Sequence, residues 1–406
     1  MKKPIAIGLS PNIQKEDVTA AFKLLCMPWK YIHGSAIKEL ERWFRSYGKV
    51  SHAISFINAR SALYATLHCL GIGKGDEVLL QAFTCVMVPN AIIATGAKPV
   101  YVDIGNDLTI DSAQLEKKIT RKTKAIIVQH TFAVAADLDK IKTIAKKHNI
   151  FIIEDCAHTI GGEYKGEKLG TFGIAACYSF GRTKAFSSVF GGVIITNDKL
   201  LGQKIRSYQK QRGFPLYPWV MKQLVYRVLS AFILKFYYAL FLGKITHFLF
   251  KRSRLFSETI GAKEKKGEFN PRSVKRLPNA LAALALVQLK KQKEYNQTRC
   301  EIVAFYKKNF TQKELIVTSK NPLLRFPFIV DNKKKTLTYF AKRGIYIGDW
   351  YSQTIDPLGV DLEKVYYKKG SCPKAERIAD KLINLPTYPT MTIKDAEKVV
   401  SLLSTL

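Results

Sequence analysis

"IFIIEDCAH", residues 150 to 158, is the stretch on which the fold turns. Four apolar residues run without interruption into an acidic pair. A half-exposed strand alternates apolar with polar, whereas a strand buried on both faces reads as a continuous apolar run, the mark of a parallel sheet covered by helices. Its acidic carboxyl end falls where open α/β sheets place their ligands.

Comparable runs lie on either side: "AISFIN" (53–58), "EVLLQ" (77–81), "PVYVDI" (99–104), "AIIVQH" (125–130), "ACYSF" (176–180) and "GVIIT" (192–196). Together they predict seven strands. Helical patterns separate them, among them "SALYATLHCLG", with Ser61 as its expected N-cap, and "LDKIKTIAKKHN", with Leu138, Ile141, Ile144 and Ala145 on one face. Strand and helix in alternation predict a doubly wound α/β architecture with a mostly parallel sheet. Beyond residue 197 a helical stretch runs to Gly213. A single long helix, "NALAALALVQLKKQKEYNQTRCEIVAFYKKN", then leads into a smaller C-terminal α+β domain from about residue 311. The expected division is a large domain over 1–275 and the long helix with the small domain over 276–406.

Against 32 acidic residues stand 65 lysines and arginines, a net charge of +33. Such an excess argues for an anionic partner: nucleic acid, a membrane surface or a phosphorylated small molecule. No helix-turn-helix or RNA-binding motif is present, so nucleic acid is not expected. Seven scattered cysteines without a C-x-x-C pair indicate neither a disulfide framework nor a metal site, and fit a reducing cytoplasm. The N-terminus lacks the apolar core and cleavage site of a signal peptide and reads as mature protein.

Three stretches fall at strand carboxyl ends and helix starts: "NARSAL", "EDCAH" and "YSFGRTKAFSSVFGG". Lys184 sits in a loop of small and hydroxyl residues followed by Gly191 and Gly192, so its amine can face a crevice and condense with a carbonyl. Asp155, at the end of a very apolar strand, needs a cation or several donors. A protonated pyridine nitrogen would serve, as pyridoxal phosphate requires when its ring acts as an electron sink. Ser61 offers a hydroxyl and nearby amides to a phosphate. The plainer readings are a solvated loop lysine and two helix N-caps. His130, ending a strand in "VQHTF", reads as a cleft residue or a structural histidine. "GIGKG" (71–75) follows a helix and precedes a strand, the wrong order for a dinucleotide site, and reads as a turn.

Taken together, the chain resembles the DegT/DnrJ/EryC1/StrS family of pyridoxal phosphate-dependent sugar aminotransferases. The resemblance rests on Gly75-Asp76-Glu77-Val78, Phe83-Thr84, Gly96-Ala97, Pro99-Val100, Asp103-Ile104, Thr123 to Ile127, Ala136 to Ile141, Ser179-Phe180-Gly181-Arg182-Thr183-Lys184 and the C-terminal "CPKAERIADKLINLPTYPTMT". It spans nearly the whole chain except an insertion at about 214–268. It implies a fold type I transferase with pyridoxal 5′-phosphate as cofactor, and a homodimer with its cleft at the subunit interface. It further implies transfer of an amino group from glutamate to a keto-sugar nucleotide, or to a lipid-linked sugar, for polysaccharide or glycolipid synthesis.

Position by position, the resemblance makes Lys184 the cofactor-bearing lysine, Asp155 the partner of the ring nitrogen and His158 the neighbour of the ring hydroxyl. Ser179, Ser61 and the Ala62 amide become the phosphate cradle. Arg276, Trp350 and Tyr351 fall at substrate-side positions. Cys85 stands where an aromatic residue usually stacks on the ring, Val274 replaces an asparagine that reaches the neighbouring subunit's phosphate, and Arg60-Ser61 replaces a Gly-Thr pair. Relatives that dehydrate sugars, the alternative chemistry, carry histidine in place of the lysine. Lys184 therefore favours aminotransfer over dehydration or deoxygenation. An alternative of another class is a membrane-associated regulatory protein on the same scaffold.

The insertion contains "MKQLVYRVLSAFILKFYYALFLGKITHFLFKR" (221–252), which has no acidic residue. Arg227, Lys235 and Lys244 interrupt every apolar run, so it does not read as a spanning helix. A helix broken near Gly243, lying on an anionic membrane surface through residues 216–257, is the expectation, with packing on the enzyme or across a dimer as the alternative. That would place the protein in the cytoplasm, peripheral on the inner face of the membrane.

Overall fold

The computed structural model describes residues 4–8, 10–235, 237, 260–310 and 319–406. Its centre is a seven-stranded sheet: β1 (His52–Phe56), β2 (Glu77–Gln81), β3 (Lys98–Val102), β4 (Thr123–Gln129), β5 (Phe151–Asp155), β6 (Ala175–Ser179) and β7 (Gly192–Thr196). All seven expected strands are present. Their spatial order is β1-β7-β6-β5-β4-β2-β3, parallel except for β7, which runs antiparallel to both neighbours. Ile126, Val128 and Ile152 point into one core and Ala125, Ile127 and Ile153 into the other. This two-residue period, with both faces buried, is why the strands read as unbroken apolar runs.

Helices cover both faces: α1 (Lys15–Leu25), α2 (Ala36–Gly48), α3 (Ala59–Cys69), α4 (Leu138–His148), α5 (Lys199–Lys210), α6 (Tyr217–Lys235), α7 (Asn279–Leu289) and α8 (Gln292–Asn309). Ser61 is not the N-cap of α3. That place belongs to Asn58, whose side chain accepts the Ser61 N–H, so the helix starts three residues earlier than a cap at Ser61 would have it. The long helix over 279–309 is two helices, broken at Lys290 and Lys291. Anchors on either side of the break hold it: Gln288 to Asn12 and Asp17, Lys291 to Gln14 and Glu16.

In the C-terminal region β8 (Arg325–Ile329) pairs antiparallel with β9 (Leu382–Pro386), and α9 (Lys333–Lys342), α10 (Pro373–Lys381) and α11 (Ile393–Leu403) complete it. The N-terminal Ile5–Ala6 strand pairs here too, parallel to Ile345–Tyr346. Residues from Tyr351 to Leu382 share a core with the large sheet. The C-terminal region is thereby fixed over the sheet's carboxyl edge.

Within the insertion, α6 packs on the enzyme. Val220, Leu224 and Ile233 are fully buried and Tyr226 nearly so. The expected break near Gly243 and the second helical piece lie outside the described residues. Among the described residues no helix is long and apolar enough to cross a membrane.

Candidate active site

Strand register sets the floor of the site. Gln129 is paired with Asp155 and Asp155 with Cys177, which puts three residues in a row across the sheet, the first two at the carboxyl ends of β4 and β5 and Cys177 midway along β6. All three line a cavity of about 680 Å³ that also takes in Cys85, His158, Ser179, Lys184, Trp350 and Tyr351. The C-terminal region closes it from above. Gly191 makes room for the loop beneath: its φ is +151°, and a β-carbon there would meet the Phe180 ring.

Lys184 belongs to an irregular loop that is pinned from elsewhere in the chain. The Asn12 amide donates to the carbonyls of Lys184 (2.7 Å) and Ala185 (3.1 Å), and Arg299 donates to Ala185 (2.6 Å). The Ser187 N–H donates to Gln288 (2.7 Å), and Arg227 of α6 donates to the Ser187 carbonyl. The lysine is not a solvated loop residue. Burial lowers its pKa, and Arg325 adds to that, while Cys85, Asp155 and Asp356 oppose it.

The Asp155 carboxylate accepts the Ala157 N–H at 3.0 Å, and no helix starts there, so it is not an N-cap. Burial raises its pKa against the opposing pull of that N–H, Lys184 and His130. At His158, Nδ1 accepts the Phe132 N–H at 3.2 Å, which leaves the proton of the neutral ring on Nε2, facing the Tyr351 hydroxyl at 3.3 Å. Burial, with Lys184 and Arg325 nearby, holds His158 well below the usual imidazole range. The ring is therefore neutral. Phe132 and Trp350 stack on it at 5.6 and 5.4 Å. Cys85 lines the wall as a thiol, its pKa pushed to about 11 by burial.

At the start of α3 the cavity is lined by Asn58, Ala59 and Arg60, not by Ser61 or Ala62. The Ser61 amide is taken by the Asn58 side chain and the Ala62 amide by the Asn58 carbonyl, so Ala62 has no N–H to offer. The Ser61 hydroxyl, however, is buried and has no hydrogen-bond partner among the described residues. An orphaned hydroxyl is the kind of group a bound phosphate satisfies. With it stand the Ser179 hydroxyl on the cavity wall, an amine at Lys184 and a carboxylate at Asp155. This donor set fits a phosphorylated pyridine aldehyde.

Trp350 and Tyr351 reach the cavity, held by the main chain. Asn384 bonds both the N–H (2.8 Å) and the carbonyl (2.7 Å) of Trp350, and Lys333 donates to the carbonyls of Asp349, Tyr351 and Ala379. Arg276 does not line the cavity; its guanidinium lies 4.3 Å from the Phe214 ring centre. Val274 is a core residue. Among the lining residues that escaped the sequence reading are Arg182, Arg325 and Tyr226. Arg182 stood within the quoted loop, but nothing local distinguishes it from other basic residues. Arg325 and Tyr226 come from β8 and α6, far away in sequence.

His130, Glu154 and Cys156 form a buried cluster of possible ligand atoms. Glu154 is already saturated, accepting the N–H groups of Gly170, Phe172 and Gly173 and facing His130 Nε2 at 3.0 Å. His130 Nδ1 accepts the Ala136 N–H, which makes this histidine structural.

A family model described as the DegT/DnrJ/EryC1/StrS aminotransferase family matches residues 11–215 and 253–404. The chain is 31% identical over 385 residues to the pleiotropic regulatory protein of Geobacillus stearothermophilus, covering 91% of this chain and 89% of the relative. It is 29% identical over 405 residues to the dTDP-3-amino-3,6-dideoxy-alpha-D-galactopyranose transaminase of Aneurinibacillus thermoaerophilus, covering 97% and 95%. Among solved structures, Helicobacter pylori PseC, an aminotransferase involved in the biosynthesis of pseudoaminic acid, superposes with a TM-score of 0.76 at 24% identity, over 99% of each chain, a likeness of fold. Outside the inserted segment the family match runs from the first helix to the last, and it shows the chain to belong to the DegT/DnrJ/EryC1/StrS family of pyridoxal phosphate-dependent aminotransferases.

Proposed function

We propose that the protein transfers an amino group from glutamate to a keto-sugar carried on a nucleotide, for the synthesis of surface polysaccharide or glycolipid. The observation that carries this reading is the convergence of Lys184 and Asp155 on one buried cavity in a chain of this family. The Aneurinibacillus relative, a transaminase of a dTDP-linked sugar, supports the acceptor class.

Pyridoxal phosphate, when bound, supplies the electron sink that lets amine and carbonyl exchange. The protein's residues prepare that exchange. Asp155 presents a carboxylate to a ring nitrogen and favours its protonated form. Lys184 accepts a proton from the reacting carbon and returns it, a general acid–base role that the burial-lowered pKa of its amine favours. Neutral His158 offers an Nε2–H without adding positive charge. Ser61 and Ser179 supply hydroxyls to the phosphate. The retained lysine speaks against dehydration, and an intact Lys184–Asp155 site speaks against a purely regulatory protein.

Function as a homodimer, with a cleft completed by the second copy, belongs to the same reading. So does attachment to an anionic membrane surface. Tyr217, Met221 and Phe232, 46%, 47% and 43% exposed, lie within about 60° on α6 at 100° per residue, and Lys235 shares their side. Membrane attachment is tested by sedimentation with anionic liposomes: the Met221→Glu, Phe232→Glu double variant should stay in solution where the unaltered chain pellets. Equal pelleting removes the membrane from the reading.

Incubation with glutamate and candidate keto-sugar nucleotides, with the product identified by mass, tests the activity. An amino-sugar nucleotide is expected, and Lys184→Ala should abolish it. Product formation undiminished in Lys184→Ala would refute the assignment.

A further inference from the structure

Arg182 lies two residues before Lys184 and lines the same cavity. Its guanidinium carbon is 3.9 Å from the Tyr226 ring centre and 5.4 Å from that of Phe190. Nε and Nη2 are buried, and neither meets a hydrogen-bond acceptor among the described residues. No carboxylate pairs with it among those residues. The neighbouring Arg227 is buried as well, but it donates to the Ser187 carbonyl and has Asp17 close by. Among the described residues neither Nε nor Nη2 of Arg182 has an acceptor to offset its desolvation, and the two aromatic faces compensate that cost only in part.

Tyr226 makes this more than a stray charge. It comes from α6, within the stretch between residues 215 and 253 that the family model skips. Its hydroxyl accepts from Ser10 Oγ at 3.1 Å, and the helix is anchored through Val220, Leu224 and Ile233. The insertion has thus built one wall of the cavity and set an aromatic face beneath a planar cation. A guanidinium presents paired N–H donors that match carboxylate or phosphate oxygens.

We propose that Arg182 and Tyr226 form an oxyanion-binding subsite, supplied in part by the inserted helix, which receives a carboxylate or phosphate group of one of the two substrates. The subsite deepens the aminotransferase reading and rests on it for the identity of those substrates. A carboxylate would belong to the amino donor and a phosphate to the nucleotide of the acceptor.

Calorimetric titration of the cofactor-loaded enzyme with glutarate and, separately, with thymidine diphosphate distinguishes the two. Arg182→Gln should weaken one of these ligands about tenfold or more, with the matching rise in KM, and Arg182→Lys should fall between it and the wild type. Loss with glutarate assigns the donor carboxylate, loss with the diphosphate assigns the acceptor, and loss with both assigns a shared subsite. Tyr226→Leu should weaken the same ligand. If Arg182→Gln does not load cofactor, Arg182→Lys decides by the same measurement. Wild-type binding of both ligands in the Arg182 variants overturns the subsite, and an unaffected Tyr226→Leu removes the inserted helix from it. A wild-type enzyme that binds these ligands through Arg182 but never transfers an amino group leaves the subsite standing and refutes the function. Normal turnover with unaltered binding in the variants does the reverse.

Discussion

The Lys184 ammonium lies 4.7 Å from the centre of the Trp350 ring, joining the large sheet's loop to the C-terminal region. The same ring receives the Arg325 guanidinium at 3.6 Å and stacks on His158. Two cations and a neutral imidazole are thus organised by one indole. Contacts of this kind are worth about 0.5–2 kcal/mol each. Trp350→Leu should therefore weaken pyridoxal phosphate binding about tenfold or more, measured by equilibrium titration, while secondary structure stays intact. Unchanged affinity would show that the ring only fills space.

The protonation of Lys184 gives a pH prediction. Burial disfavours the ammonium, so its pKa falls below 10.5 and the amine is available at lower pH than in a free lysine. The rate at which the cofactor-free protein captures pyridoxal phosphate should rise with pH through a midpoint below 10.5. Asp155 stabilises the ammonium, so Asp155→Asn should move the midpoint lower still. Arg325 destabilises it, so Arg325→Met should move the midpoint up. Shifts of the opposite sign would contradict this electrostatic account.

The loop around Lys184 owes its conformation to distant partners, and two substitutions test that. Asn12→Ala removes both amide bonds to the loop. Arg299→Leu removes a charge-assisted bond of about 1.5–3 kcal/mol to Ala185 but also relieves a buried guanidinium whose pKa is lowered to about 10. Global stability in urea should change little for Arg299→Leu, while borohydride trapping of the cofactor on Lys184 slows in both variants. Trapping at the wild-type rate would show that the loop holds its shape unaided.

Glu154 carries the opposite expectation. It sits beside Asp155 but faces away from the cavity, its two oxygens taken by three backbone N–H groups and His130. Glu154→Ala strands those donors in the core and should cost about 3–5 kcal/mol, seen as a lower urea midpoint at constant m value. Cofactor affinity of the fraction that remains folded should be close to normal. A stable Glu154→Ala protein that cannot bind cofactor would move this residue into the site.

Much of this protein was legible in its sequence, because the physics behind it is local. Apolar runs such as Ala125 to Val128 report burial on both faces, and in the neighbouring strand the pleat places Asp155 at the carboxyl end whatever the rest of the chain does. The loop "SFGRTK" puts Lys184 beside that edge for the same reason. The first turn of α3 was harder to read, since Asn58 and Ser61 are both good caps and the choice depends on which side chain reaches a free N–H. What only the tertiary structure decided lies between residues far apart in the chain: Asn12 with Lys184, 172 positions away, and His158 with Tyr351, 193 away. Arg182, Arg325 and Tyr226 reach one cavity from a loop, a C-terminal strand and an inserted helix. Their convergence leaves no periodicity behind, because it is fixed by how whole elements pack, and a buried unpaired guanidinium reads in sequence like any other arginine.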